Sequence, residues 1–278
     1  MKYKKIVLFF SIALPASILM RILELYFTVD TKTGFFKPEY KSMGYYLLIL
    51  IIAFCAVTAI LCFTSHRNPE HPPRKNPVLA AASFLMAAGL GLELFAESFA
   101  GTVMKWQTSL LMAAGLASIA YFIVFGVGMF TDIKIPPVCT AVPAVYFIAR
   151  IICSFTAISS LALITDNVLM LAAYCVALLF FLCFGKLYNK IDVDYNFRKL
   201  MASGLSSVIL CFTQSIPHII INITTGNGYL HTSNSSNISL LITGIFIGVF
   251  TFSHFSFNNV AVRRTRKTEN SDGQQLYI

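Results

Sequence analysis

Charge is what this sequence has least of. Asp, Glu, Lys and Arg make up 12% of its 278 residues, against about 25% in soluble globular proteins. Polar stretches are scarce as well. The longest segment between apolar runs has fewer than twenty residues, too few for a soluble domain. No Walker loop, HExxH string or dinucleotide fingerprint occurs, so the motif-based grounds for a nucleotide-hydrolysing, zinc-protease or NAD-dependent enzyme are missing. Cysteines form no CxxC pair and no Cys/His cluster. Their number, seven, is odd, and all lie in or beside apolar runs. They read as small buried hydrophobes rather than a disulfide framework or a zinc site. Neither a metal nor another cofactor is expected.

What is abundant is hydrophobicity. Apolar residues make up 57% of the chain, above the roughly 45–50% of soluble domains. They fall into eight runs, at 6–26, 44–63, 78–98, 108–130, 138–164, 168–188, 200–222 and 238–257. A helix needs about 20 apolar residues to cross a bilayer core, and in lipid only helices and closed barrels satisfy their own backbone. The expected fold class is all-α: a polytopic membrane helical bundle of about eight transmembrane helices, with the N and C termini cytoplasmic. Residues 1–257 read as a single transmembrane helical domain, and 258–278 as a basic, then polar cytoplasmic tail expected to be disordered.

Orientation comes from the basic residues. With the N-terminus inside, 15 Lys and Arg lie in cytoplasmic segments and 4 in external ones, with Arg21 and Arg150 inside spans. That bias is strong under the positive-inside rule. The formal charge of +9 is accordingly read as contact with anionic lipid headgroups rather than nucleic acid, which places the protein in the cell membrane. The first run begins like a signal peptide, but it stays apolar to Phe27, too long for a cleaved leader. It is read as an uncleaved span.

Residues 222–237 contain no Lys or Arg and hold three N-x-S/T sequons, at Asn222, Asn234 and Asn237. In a eukaryotic host the latter two are candidate glycan acceptors; in a bacterium they mark a polar external loop. Ser83–Leu90 and Ser109–Leu116 share a small-residue pattern, expected of two closely packed antiparallel helices. Gly244 and Gly248 form a GxxxG, a candidate contact with another span, a protein partner or a second copy of the chain. Prolines 15, 143 and 217 lie inside runs and are candidate kinks. Tyr45, Tyr46, Trp106, Tyr188 and Tyr229 suit interfacial aromatic belts.

The chemistry rests on a few ionisable groups at membrane depth, where each costs about 2.5–3.5 kcal/mol on insertion scales. Arg21, Glu24, Glu93, Glu97, Arg150, Gln214 and His218 are the candidate ligand or proton-pathway residues, all between mid-membrane and the outer surface; Asp166 sits at an outer turn. Helix rise puts Glu93 about 22 Å and Arg150 about 18 Å from the inner ends of their spans, a gap an Arg side chain covers. A Glu93–Arg150 contact is therefore expected. Arg21 and Glu24, at i and i+3, are expected to pair. Glu93 and Glu97 share one helix face, an arrangement that favours a proton on one of them. The bland reading competes at each position: Glu97 in the headgroup region, Glu93 paired with Arg, and His218 a satisfied interfacial residue.

These residues are read as an outward-facing polar pocket, built from spans one, three, five and seven, that binds or transports a small solute. A non-catalytic membrane subunit or sensor is the alternative, with the same charges acting as internal struts. An intramembrane hydrolase is the least supported reading, resting on the string Gly204-Leu-Ser206-Ser207 and on His254. No catalytic residue is assigned. Arg21-xx-Glu24, followed by Thr28-Val-Asp-Thr-Lys-Thr-Gly-Phe-Phe, resembles a pattern in uncharacterised multi-pass membrane proteins of anaerobic Firmicutes. The resemblance covers the first forty residues and implies no activity.

Overall fold

The computed structural model describes residues 2–29, 37, 40–64, 76–100, 105–131, 136–157, 164–189, 191, 193–225 and 235–253. Among them are eight helices long and apolar enough to cross a membrane. In chain order these are α1 (Lys2–Thr28), α2 (Lys41–Phe63), α3 (Pro77–Ala100), α4 (Lys105–Phe130), α5 (Val142–Ala157), α6 (Ile164–Tyr188), α7 (Val193–Thr225) and α8 (Ser235–Ser253). The protein is a helical bundle of the membrane class.

Local chemistry sets several boundaries. Asn76 Oδ1 accepts from the backbone N–H of Val78 at 3.1 Å and of Leu79 at 3.4 Å, which caps α3. Pro77 follows as the first helical residue, where a missing N–H breaks no bond. Pro143 is also harmless. It lies in the first turn of α5, directly after a 3₁₀ turn at Pro137–Ala141, so it starts that helix rather than bending its middle. Pro15 and Pro217 lie inside α1 and α7.

Two boundaries differ from expectation. The fifth helix is described over Val142–Ala157, and Thr165, Asp166 and Asn167, read as a turn, belong to the start of α6. The residue types that favour turns also favour helix N-termini, and Asp166 in the first turn of α6 complements the positive end of the helix dipole. The seventh helix begins at Val193 and has 33 residues, a length of about 50 Å against a bilayer core of about 30 Å.

The interior divides into two layers along the helix axes. One end holds an aromatic core. Phe122 and Phe125 of α4, Phe147 of α5, Phe180, Phe181 and Phe184 of α6, and Phe246 and Phe250 of α8 are all buried. Ring centroids lie 5.1 Å apart for Phe122–Phe246, 5.0 Å for Phe184–Phe250 and 5.1 Å for Phe147–Phe181. Tyr188 joins this core, 4.9 Å from Phe184, so it is a packing residue rather than a belt residue. Trp106, Tyr45 and Tyr46 are exposed, as belts require. Alternating helix direction brings the polar residues of odd helices (late) and even helices (early) to the opposite end.

Small residues set the close approaches. A Cβ on Gly244 would fall 2.7 Å from the Phe212 ring and 3.0 Å from Cys211 Cβ, whereas one on Gly248 would be 3.6 Å from Val208. The GxxxG of α8 is thus packed against α7 of the same chain. The two alike stretches do bring α3 and α4 together, but unequally: Gly115 receives Leu94 of α3, while Gly89 receives Ile242 of α8. Outward-facing Ile49, Ile52, Val57 and Ile60 of α2 suit contact with lipid tails. All seven cysteines are free thiols. Asn237, read as a loop sequon, lies in α8 and is buried. Tyr229, Asn234, His254 and the tail at 258–278 lie outside the described residues.

Candidate functional site

The seven candidate residues do not meet in one pocket. They form two groups at the same end of the bundle, and α6 contributes to both. This corrects the reading of a single pocket on α1, α3, α5 and α7.

The first group joins α1, α6 and α7. Arg21 Nη1 donates to Glu24 Oε2 at 2.5 Å, and Arg21 Nη2 donates to Asp166 Oδ1 at 2.7 Å. The i, i+3 spacing puts Arg21 and Glu24 on one helix face, so the intrahelical pair is local and the bond to Asp166 carries it across to α6. The same Asp166 oxygen receives Gln214 Nε2 at 2.8 Å and lies 2.6 Å from His218 Nε2. Gln214 and His218 are one turn apart on α7, their nitrogens 3.3 Å from each other.

This geometry orients both side chains. Turning the Gln214 amide over would set its oxygen against the Asp166 carboxylate, so the amino group faces Asp166. His218 Nε2 then carries the proton that bonds the carboxylate. Every member is buried: Arg21 and Glu24 are 1% exposed, Asp166 2%, and Gln214 and His218 0%. Burial of this kind calls for complete pairing, yet three polar atoms lack it. Arg21 Nε, Glu24 Oε1 and Gln214 Oε1 have no hydrogen-bond partner among the described residues.

The second group joins α3, α5, α6 and α8 around Arg150. Its Nη2 lies 2.8 Å from Glu93 Oε1, the contact anticipated from helix rise. The angle there is outside hydrogen-bond geometry, since Glu93 Oε1 has no hydrogen-bond partner, so this is an ion contact rather than a bond. Arg150 Nη1 donates to Glu97 Oε1, Nη2 to Ser236 Oγ at 2.8 Å and Nε to the Tyr174 hydroxyl at 3.3 Å. The guanidinium carbon sits 5.6 Å from the Tyr174 ring centroid, within cation–π range. Tyr146, one turn before Arg150, donates its hydroxyl to Glu93 Oε2 at 2.7 Å. Each guanidinium nitrogen therefore has a partner. Glu97 is the most accessible member, its side chain 17% exposed.

The two groups share a charge arithmetic. Each sets one guanidinium against two carboxylates. They differ in completeness: the second engages every guanidinium nitrogen and leaves one acceptor, Glu93 Oε1, without a hydrogen bond, whereas the first leaves one donor and two acceptors unmet.

The sequence places Asp166 only at an outer turn, and it does not single out Tyr146, Tyr174 or Ser236. Among 12 tyrosines and 25 phenylalanines nothing local marks Tyr146 and Tyr174. The i, i+4 spacing of Tyr146 from Arg150 is the single usable signal. Ser206 Oγ donates to the Cys55 carbonyl at 3.3 Å, and Ser207 Oγ lies 3.7 Å from Cys211 Sγ. Compared with protein-family models, curated proteins and solved structures, the chain matches none of them.

Proposed function

We propose that this integral membrane protein binds or transports a small polar solute through the outer half of the bundle, with the α1/α6/α7 group as its binding end. The observation that carries this reading is the uneven pairing of the two groups. Arg21 Nε, Glu24 Oε1 and Gln214 Oε1 are buried and unmatched, and a buried unmatched polar atom costs about 1–3 kcal/mol. A small ligand bearing both donors and acceptors satisfies all three. The Arg150 group acts as the strut that fixes α3, α5, α6 and α8 relative to one another.

The proposed orientation places both termini in the cytoplasm and both groups towards the exterior leaflet of the cell membrane. The excess of 15 basic residues over 4 supports it. A hydrolase is disfavoured because the Ser206 and Ser207 hydroxyls are turned to Cys55 and Cys211, so the protein is read as non-enzymatic. A second reading, a non-catalytic membrane subunit or sensor, draws support from the burial of both groups.

The test is uptake by proteoliposomes holding the full-length protein, across a panel of small polar solutes and with an imposed pH gradient. Saturable uptake of a solute, lost in Arg21→Gln and kept in the lipid-facing control Ile52→Leu, is expected. No uptake of any solute, together with a stoichiometric protein partner retained from native membranes, replaces transport with the subunit reading.

A further inference from the structure

We propose that Glu97 is a proton-exchange site built into the Arg150 group, taking a proton from water at its end of the bundle while Glu93 beside it stays ionised. The group thereby does more than brace helices, and this role does not depend on solute binding by the α1/α6/α7 group. Arg150 carries a permanent positive charge, and Glu93 and Glu97 both face it. The two carboxylates lie one helical turn apart, about 6 Å between Cβ atoms. Ionised together, they leave the group one negative charge in excess.

Nothing among the described residues offsets that excess. The charges that act on Glu97 are those of Arg150 and Glu93. Tyr146 and Cys153 of α5 and Tyr174 of α6 also face the group, but their hydroxyls and thiol are neutral short of alkaline pH. Arg150 is the one charged residue of α5, and Ser235–Ser253 of α8 has none. In α6, Asp166 is bonded to Arg21 and Lys186 lies in the last turn, away from this end. In α4 the one charge is Lys105, its first residue, which the experiment below includes.

The two carboxylates are not equivalent. Glu93 is 1% exposed. Its Oε2 accepts the Tyr146 hydroxyl at 2.7 Å, and its Oε1 lies 2.8 Å from Arg150 Nη2. Each oxygen faces a donor, so a proton on either would meet a hydrogen already there. At Glu97, Arg150 Nη1 occupies Oε1. Oε2 accepts no hydrogen bond from the described residues, and it is not sealed from solvent. Glu97 also stands one residue before Ser98, where the apolar span ends, and three before Ala100, the last residue of α3. That puts it about 4.5 Å of helix rise from the end, at the depth of the membrane surface and within reach of water. A proton from water bonds to Oε2. Oε1 stays as the carbonyl oxygen that accepts from Arg150, and the group becomes neutral without losing a contact.

Infrared difference spectroscopy of the full-length protein in nanodiscs, titrated with acid, reads a protonated carboxyl by its C=O band. The expected result is a band that grows as pH falls, is missing from Glu97→Gln, persists in Glu24→Gln and shifts promptly on transfer to D₂O. In Glu93→Gln the neighbouring negative charge is gone. Glu97 then binds its proton about tenfold more weakly, and the band rises at lower pH. Lys105→Gln moves the midpoint by less than Glu93→Gln does. Glu97→Gln keeps an acceptor for Arg150; should it nonetheless fail to fold, Glu93→Gln carries the test, since loss of the band there assigns the proton to Glu93. The proposal is overturned if the band belongs to Glu93, or if it resists exchange in D₂O. It is also overturned if Glu93→Gln changes proton affinity by less than about threefold, or if Lys105→Gln moves the midpoint as far as Glu93→Gln does. No solute enters the measurement, so a failed uptake screen is a separate result.

Discussion

Replacing Arg150 with Met separates a strut from a bystander. The substitution keeps most of the side-chain length and removes the guanidinium. Glu97, Tyr174 and Ser236 each lose a donor, and Glu93 keeps a single hydroxyl, that of Tyr146. Breaking a buried ion pair on one side costs about 3–5 kcal/mol. Within a bilayer the unfolded chain also finds partners for its polar groups, so the lower end, about 3 kcal/mol, is the expected loss. Cys153 gives a convenient readout. It is 5% exposed and its thiol contacts the Gln107 carbonyl at 3.7 Å, one turn beyond Arg150. In a background with the other six cysteines replaced by alanine, its labelling by a thiol reagent measures the opening equilibrium. A loss of about 3 kcal/mol speeds labelling roughly 100-fold.

The triple variant Arg150→Met, Glu93→Gln, Glu97→Gln removes the stranded carboxylates and recovers more than half of that loss. Arg150→Lys keeps the charge but has three donors in place of the five-donor fork, and labels at an intermediate rate. Labelling of Arg150→Met within threefold of its parent would refute the strut. So would a triple variant as labile as the single one, because the damage would then come from packing.

Further outcomes follow from particular contacts. Gly244→Ala, whose new carbon meets the Phe212 ring and Cys211, loses about 1–3 kcal/mol of stability, while Gly248→Ala stays within about 0.5 kcal/mol, both read from thermal unfolding in detergent. Expressed in a glycosylating host, Asn237→Gln leaves gel mobility before and after glycosidase unchanged, because that side chain is 1% exposed within α8. Ser206→Ala and Ser207→Ala leave solute uptake unaltered, and neither serine is modified by a fluorophosphonate probe. Single cysteines placed at residues 68–75 and in the tail are labelled from the cytoplasmic face alone; labelling of the two from opposite faces contradicts the assigned orientation.

The fold class was legible in the chain because a bilayer imposes a one-dimensional rule. An apolar run of sufficient length must be a helix that crosses, and each of the eight runs holds a helix long and apolar enough to do so. The Arg21–Glu24 pair was legible for a similar reason, since helical spacing alone places both on one face. The Glu93–Arg150 contact needed helix rise and an assumed orientation, nothing more. Helix order around the bundle was not legible. Whether α7 or some other helix stands between α1 and α6 depends on how side chains of different size interlock. That arrangement carries Asp166 to Arg21 and leaves Glu24 Oε1 and Gln214 Oε1 without partners. Gly244 and Gly248 are equal members of one motif in sequence, and the facing surface of α7 makes them unequal. The sequence by itself determined that the chain forms eight helices of membrane-spanning length and how far along each helix its few charges lie. The tertiary structure alone decided which of those charges are fully matched and which are not, because hydrogen-bond completeness depends on distances between helices that no single helix contains.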